Sequence, residues 1–265
     1  AGSKTLTATY SNDTDFRTSS PSVSPHTVDK ASPMITWAAP SAITYGAALS
    51  AAQLNATASA PGTFIYTPAF GTVLNAGSGQ TLHVDFTPTD ATNYSADFKD
   101  VTVDVEKADT VTVIFNAQPA ASTVEQPYAV TWQVSRAEAG AGTPSGMVTI
   151  SDGTDSCTAS VASGTCNLTS TTAGTKTLTA TYSGDNNFNG SVSTSHSHNV
   201  DQAIPALNWE NPAAIPYGTA LSATQLNAIA SVAGTFVYTP AIGTLLDAGR
   251  GQNLHVDFTP ADTAN

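Results

Sequence analysis

The chain has 265 residues, of which only 11% are charged, well below the roughly 25% of an average globular domain. Twenty Asp and Glu against eight Lys and Arg give a formal net charge of −12, which excludes binding of nucleic acid or an anionic membrane through a basic patch. A hydrophobic content of 40% excludes a disordered composition, and no run approaches the ~20 apolar residues of a membrane-inserted helix.

Taken from the N-terminus, residues 1–93 return without a gap as residues 173–265, at a constant offset of 172, with 57 of the 93 positions identical. Tyr10 matches Tyr182, Trp37 matches Trp209, Gly46 matches Gly218 and Phe86 matches Phe258. A Val-acidic-Lys/Gln-Ala signature punctuates the chain at Val28–Ala31, Val105–Ala108 and Val200–Ala203. Its spacings, 77 and then 95 residues, add up to the repeat length, so two different modules alternate. The expected boundaries are 1–31, 32–107, 108–202 and 203–265. No Gly/Ser-rich or Pro-rich linker separates them, which limits bending between neighbours.

The short module, 32–107, reads as a small sheet with one short helix. Met34–Ala38 and Ala42–Ala47 suggest two short strands. Ser50-Ala-Ala-Gln53 fits a capping box that opens one or two helical turns through Leu54 and Ala56, and Ser222-Ala-Thr-Gln225 repeats it. Phe64 and Tyr66, then Leu82, Val84 and Phe86, then Val101, Val103 and Val105 each recur at period two, the spacing of half-buried strands.

The long module, 108–202, reads as all-β. Val111, Val113 and Phe115 alternate with Thr110, Thr112 and Ile114, which suggests Val and Phe on the core face. Val130, Trp132 and Val134 follow, then Val148 and Ile150, then Leu178, Ala180 and Tyr182. Turn signals at Asp152-Gly153, Ser163-Gly164, Ala173-Gly174 and Ser183-Gly184-Asp185 separate the runs, and a two-sheet sandwich is the economical arrangement. The only two cysteines, Cys157 and Cys166, are spaced C-x8-C, unlike redox or zinc pairs. Two short strands around a turn would bring them across one hairpin. A disulfide there would contribute up to about 2.7 kcal/mol and imply an exported protein, the alternative being two reduced, buried thiols.

Gly146-Met-Val-Thr-Ile-Ser-Asp-Gly153, followed by Ala173-Gly-Thr-Lys-Thr-Leu-Thr-Ala-Thr-Tyr-Ser-Gly-Asp185 and Phe188, resembles the bacterial Ig-like repeat (type 3-like) of large surface proteins. Residues 1–30 resemble its last part, with Asn12 in place of the turn glycine Gly184, so that tight turn must be made differently. Tyr45-Gly46, Leu49-Ser50, Gln53–Ala56, Gly62–Phe64, Tyr66–Pro68, Ala76-Gly77 and Phe86–Pro88 are similar to MBG repeats, which are β-grasp-like, and the second copy keeps all of them. The resemblances imply an all-β tandem array of Ig-like sandwiches alternating with small β-grasp-like modules. Such modules are usually spacers. By this reading the chain starts inside one long module and stops inside a short one, as a window onto a longer array.

Sites of chemistry are few. His196 and His198 would share one strand face as a metal pair, with exposed strand histidines as the plainer reading for all five, including His26, His83 and His255. The turns Ser11–Asp15 and Ser183–Asn187 could offer oxygens to Ca²⁺ but lack the spacing and closing Glu of a Ca²⁺ loop, and Asp and Asn are ordinary turn formers. No nucleophile elbow, phosphate loop or dinucleotide turn is present, and Glu125, Glu138 and Glu210 are isolated, so no catalysis and no cofactor are expected. Trp37, Trp132 and Trp209 are core residues or sugar-stacking ones. Tyr45-Gly46 would sit at a module junction and stiffen it.

The expectation is a structural segment of a bacterial extracellular or cell-surface stalk, fibre or filament. It would extend as a rod whose length scales with copy number. Its partners would be flanking copies of the same repeat, with self-association into fibres through strand edges. The competing reading is an adhesin whose modules bind a glycan or matrix ligand. A third is an accessory region of a secreted enzyme.

Overall fold

A computed structural model describes residues 1–265. The fold is all-β, and its one helical element is a 3-10 turn at Val161–Ser163. The chain divides into two compact units. The first comprises Ala1–Val111, Val134–Gly146 and Ser183–Ser191, and the second Thr112–Gln133, Met147–Tyr182 and Val192–Asn265.

In the first unit, β1 (Gly2–Ala8) and β2 (Ser22–Val28) form an antiparallel hairpin, with Gly2 opposite Val28 and Ala8 opposite Ser22. Both strands are exposed along their whole length. Next come β3 (Ile35–Thr36), β4 (Ile43–Thr44), β5 (Thr57–Ala58), β6 (Gly62–Thr67), β7 (Gly77–Pro88) and β8 (Asp97–Glu106). Strands β4-β8-β7-β6 make one sheet, with β4 parallel to β8 and the other pairs antiparallel, while β3 and β5 pair separately. Period two sends Leu82, Val84 and Phe86 of β7 and Val103 and Val105 of β8 into one core with Trp37, Leu49 and Leu54. Each large side chain buried there contributes roughly 1.5–3 kcal/mol relative to exposure.

The helix expected at Ser50 is a single turn. The Gln53 and Leu54 N–H groups both donate to the Ser50 carbonyl, Gln53 Oε1 accepts from the Ser50 N–H and hydroxyl, and Ser50 Oγ accepts from the Ala52 N–H rather than from Gln53, so only the Gln half of the capping box is made. Propagation stops because the Ala52 carbonyl accepts from Asn55 Nδ2, and the Ala56 N–H donates instead to the Tyr66 hydroxyl. One turn without further backbone bonds is the costly nucleus of a helix and nothing more.

In the second unit the strands are β9 (Thr110–Gln118, which begins in the first unit), β10 (Ala121–Thr123), β11 (Pro127–Arg136, which ends there), β12 (Met147–Ser151), β13 (Ser156–Ser160), β14 (Thr165–Thr169), β15 (Gly174–Tyr182), β16 (Ser191–Val192) and β17 (His196–Asp201). One sheet runs β10-β17-β15-β12-β13 with β16 added to β15, and the other runs β14-β11-β9. Their inner faces bury Tyr128, Val130 and Trp132 against Val148, Ile150, Leu168, Leu178, Ala180, Tyr182 and Val200. Then β18 (Leu207–Asn208) pairs with β19 (Ile229–Ala230), and β20 (Gly234–Thr239) with β21 (His255–Pro260).

Two expectations for the sandwich are corrected. On β9 the buried positions are Thr110, Thr112, Ile114 and Ala117, whereas Val111, Val113 and Phe115 face outward. Period two fixes which residues share a face and not which face is inside. Thr110 can point inward because its hydroxyl donates to the Asn189 carbonyl at 2.9 Å and bonds Ser191 Oγ at 2.8 Å. Cys157 and Cys166 are disulfide-bonded, with Cα atoms 6.1 Å apart, but not across a hairpin. Cys157 lies on β13, which pairs with β12, and Cys166 lies on β14, which pairs with β11. The 3-10 turn carries the chain from one sheet to the other, so the bond staples the two sheets together at their edges.

Repeated sequence gives repeated local structure. Trp37 donates through Nε1 to the Gln53 carbonyl at 2.9 Å and meets Tyr66 edge-on at 5.4 Å; Trp209 does the same with Gln225 at 3.0 Å and Tyr238 at 5.4 Å. Phe64 and Phe86 stand 4.9 Å apart, and Phe236 and Phe258 stand 4.8 Å apart.

Candidate functional site: the Tyr45–Gly46 joint

Where the 32–107 and 108–202 stretches meet, the contact lies wholly within the first unit. Strand β4 aligns beside β8, and the Tyr45 N–H donates to the Glu106 carbonyl at 2.8 Å, which fixes where Tyr45 emerges. Phe188 meets the Tyr45 ring edge-on at 5.2 Å. The Arg136 guanidinium lies 5.9 Å from the Tyr45 ring centre and 5.4 Å from that of Phe188. Such contacts are worth about 0.5–2 kcal/mol each, depending on desolvation.

Arg136 also donates to main-chain carbonyls on both sides. Nη2 reaches the Tyr45 carbonyl at 3.0 Å, Nε reaches Glu138 at 3.1 Å, and Nη1 reaches Ala141. The planar five-donor fork suits Arg to this task, whereas Lys offers one point charge. The Ala141 N–H closes the contact on the Gly46 carbonyl at 3.2 Å. Gly46 has φ +93° and is buried, and a Cβ there would stand 2.6 Å from Arg136 Nη1 and 2.7 Å from the Ala141 oxygen. Only glycine fits both the left-handed backbone and the close approach.

A second set of bonds locks the turn at Asp185. Asn187 Oδ1 accepts from the Ala76 N–H at 2.8 Å, and its Nδ2 donates to Asn75 Oδ1 at 3.3 Å. Lys107 Nζ donates to the Asp185 carbonyl at 2.6 Å, and Asn189 Nδ2 to Asp109 Oδ1 at 2.8 Å. Burial works against the Asp185 carboxylate, but donors from Ser145, Asn187 and Phe188 outweigh it and hold its pKa below the usual carboxylate value. The side-chain oxygens of Asp185 and Asn187 thus accept from protein donors, Ser145 and Ala76 among them. In the other copy Asp13 Oδ1 accepts from the Asp15 and Phe16 N–H groups in the same way. The backbone bond from residue 185 to residue 188 recurs from 13 to 16, although Gly184 has φ +81° and Asn12 is not left-handed.

The second unit holds a buried polar chain that sequence reasoning missed. His198 is 2% exposed, which corrects the expectation of an exposed strand histidine. Its Nε2 bonds Ser122 Oγ at 2.9 Å and its ring stacks on Tyr128 at 3.9 Å. The Tyr128 hydroxyl bonds Ser170 Oγ at 2.9 Å, and Ser170 donates to Asp152 Oδ2 at 2.5 Å. Burial lowers the His198 pKa, with the His196 charge adding to it, so the imidazole is held neutral. Burial opposes the Asp152 carboxylate, yet Ser170 and the Asp155 and Thr154 N–H groups lower its pKa. The alternation that buries Val200 two residues on could have located His198; nothing in the sequence marked Ser122 or Ser170.

The four remaining histidines take no part in this chain of bonds, and His196, the other member of the expected metal pair, is half-buried at the start of β17. His26 is exposed, His83 sits between Asp85 and Asp100, and His255 pairs with Asp257. No group of three or more His, Cys, Asp or Glu side chains comes together as a metal cluster. Trp37 and Trp132 are buried and offer no face to a sugar, and Trp209 is half-buried against Tyr238. No helix is long and apolar enough to cross a membrane.

The sequence profile of the family described as Bacterial Ig-like domain (group 3) matches residues 115–201. Among solved structures, the fibronectin(III)-like modules of Clostridium thermocellum CbhA share 15% identity with this chain, over 64% of it and 95% of theirs, with a TM-score of 0.29. A comparison with curated proteins finds no match. Residues 115–201 are therefore similar to the bacterial Ig-like domains, in a chain that is all-β throughout.

Proposed function

We propose that the chain is a structural repeat segment of a bacterial extracellular stalk, fibre or filament, acting as a rigid spacer or polymer building block. In this reading 32–107 and 203–265 are MBG-like modules, 1–31 and 108–202 are Ig-like, and the partners of the segment are flanking copies of the same repeat. The work is mechanical rather than catalytic, as is usual for Ig-like modules.

The observation that carries the reading is the joint itself. Arg136, Gly46 and Phe188 weld one module type to the next with main-chain hydrogen bonds, an aromatic contact and no linker. A spacer that must transmit length and force depends on such a joint. The cross-sheet disulfide fits an oxidising, exported location. The test is a glycan and matrix-protein array probed with the 265-residue chain, together with electron microscopy of the native object. A blank array and a filament or stalk are expected. Specific, saturable glycan binding by the chain would overturn the reading in favour of an adhesin.

A further inference from the structure

The joint at Tyr45–Gly46 is occupied, and its copy at Tyr217–Gly218 is bare. Tyr45 is half-buried and Gly46 buried, but Tyr217 is 77% exposed and a Cβ on Gly218 would meet nothing within 4 Å. The supporting turns are the same in both copies. Leu49 and Leu221 donate to the Thr72 and Thr244 carbonyls at 2.8 and 2.9 Å, and Gln80 and Gln252 reach back through Nε2 to the residue 75 and residue 247 carbonyls. Asp247 and Ala248, which match the Asn75 and Ala76 that hold Asn187, line one groove with Pro216 and Tyr217. Gly218 keeps φ +89°, against +93° at Gly46. A left-handed glycine and an exposed ring recur beside the same groove-lining positions, whereas the β4–β8 pairing and the Tyr45 N–H to Glu106 bond that fix Tyr45 have no counterpart within residues 203–265.

From this correspondence we infer that the Tyr217–Gly218 surface is a docking site for one partner: a further module of the 108–202 type, following in the same polypeptide. It would set its counterpart of Phe188 edge-on to Tyr217, lay its counterpart of Arg136 against both rings, and place its counterpart of Asn187 on Ala248 and Asp247. Asp247 in place of Asn75 still accepts from an Asn Nδ2, and its charge strengthens that bond. A second chain of this sequence is a poorer occupant, because its own Arg136 is already engaged with its own Tyr45. The inference rests on the spacer reading and adds the partner and the contact.

The test extends the chain after Asn265 with a copy of residues 94–202 and follows tyrosine nitration by tetranitromethane, read by peptide mass spectrometry. In the 265-residue chain Tyr217 should react several-fold faster than Tyr45. In the extended chain it should slow to the Tyr45 rate, and Glu in place of the Arg136 counterpart should restore it. Unchanged Tyr217 reactivity, with hydrogen exchange showing the added copy folded, overturns the inference. If the copy does not fold, Arg136→Glu in the 265-residue chain decides. Tyr45 rising to the Tyr217 rate supports the clamp, and Tyr45 staying slow overturns it. Failure here leaves a spacer with loose joints, whereas a glycan hit on the array would sink the spacer reading without altering nitration.

Discussion

Residues 1–30 and 173–202 carry nearly the same strands and end in opposite states. Both form the same hairpin in the same register: Gly2 faces Val28 as Gly174 faces Val200, and Leu6 faces Ser24 as Leu178 faces His196. Yet Leu6 is 57% exposed and Leu178 0%, Tyr10 41% and Tyr182 1%, Phe16 69% and Phe188 1%. The difference lies in what surrounds the hairpin. Strand β15 has β12 beside it and an opposing sheet over its inner face, while β1 has only β2. The comparison teaches that pairing is local, held by a turn and by alternation, whereas burial is a property of the whole sandwich.

The contrast breaks most sharply at matched leucines. Leu178→Ala should destabilise the sandwich by about 2–5 kcal/mol, and Leu6→Ala should change stability by no more than about 0.5 kcal/mol. Urea unfolding followed by tryptophan emission checks both. Equal effects would mean that the two hairpins are buried alike. Next in size is the staple, which has no counterpart in residues 1–30. Replacing Cys157 and Cys166 together by Ser should cost up to about 2.7 kcal/mol in the same assay, because the closed loop constrains the unfolded chain.

The two copies of the joint sharpen the comparison further. Gly46→Val should lower the melting temperature, since a left-handed β-branched residue adds strain of about 1–3 kcal/mol and displaces Arg136. Gly218→Val has the same backbone strain but no neighbour to displace, so it should cost less. Scanning calorimetry of both variants separates strain from lost contact.

The smallest expected effect is on pH dependence. The His198 pKa is lowered in the fold, so below about 6.5, the ordinary value, the unfolded chain takes up a proton that the native one refuses. Stability should therefore fall as pH drops from 6.5 toward the depressed native pKa. His198→Asn should remove this slope. The Asp152 pKa is also lowered, so its contribution is present above 3.8 and lost as pH falls below that value, in a separate window. A pH series of urea midpoints reads both.

Of the candidate site, only the Tyr45-Gly46 pair was legible in advance. The pair is kept in the second copy as Tyr217-Gly218, and it was expected at a module junction. Its partners were not. Arg136 and Phe188 are 91 and 143 residues away in sequence, and no local pattern links an Arg at the end of one strand to a Phe in a distant turn. At Ser50 the Gln half of the expected capping box forms but a single turn follows it, because the competing hydroxyl of Tyr66 comes from β6, beyond the local window.

By itself the sequence determined the repeat, the all-β class and the apolar faces of β7, β11 and β15. These follow from period, turn chemistry and identity at a fixed offset, all of which act between near neighbours. Tertiary structure alone decided that Thr110 and Thr112 face inward while Val111, Val113 and Phe115 do not. It also decided that Cys157 and Cys166 join two sheets, that His198 is buried, and that one Tyr-Gly pair is clamped while its copy is bare. Each of those depends on which surface lies opposite, and alternation along a strand carries no information about what covers it.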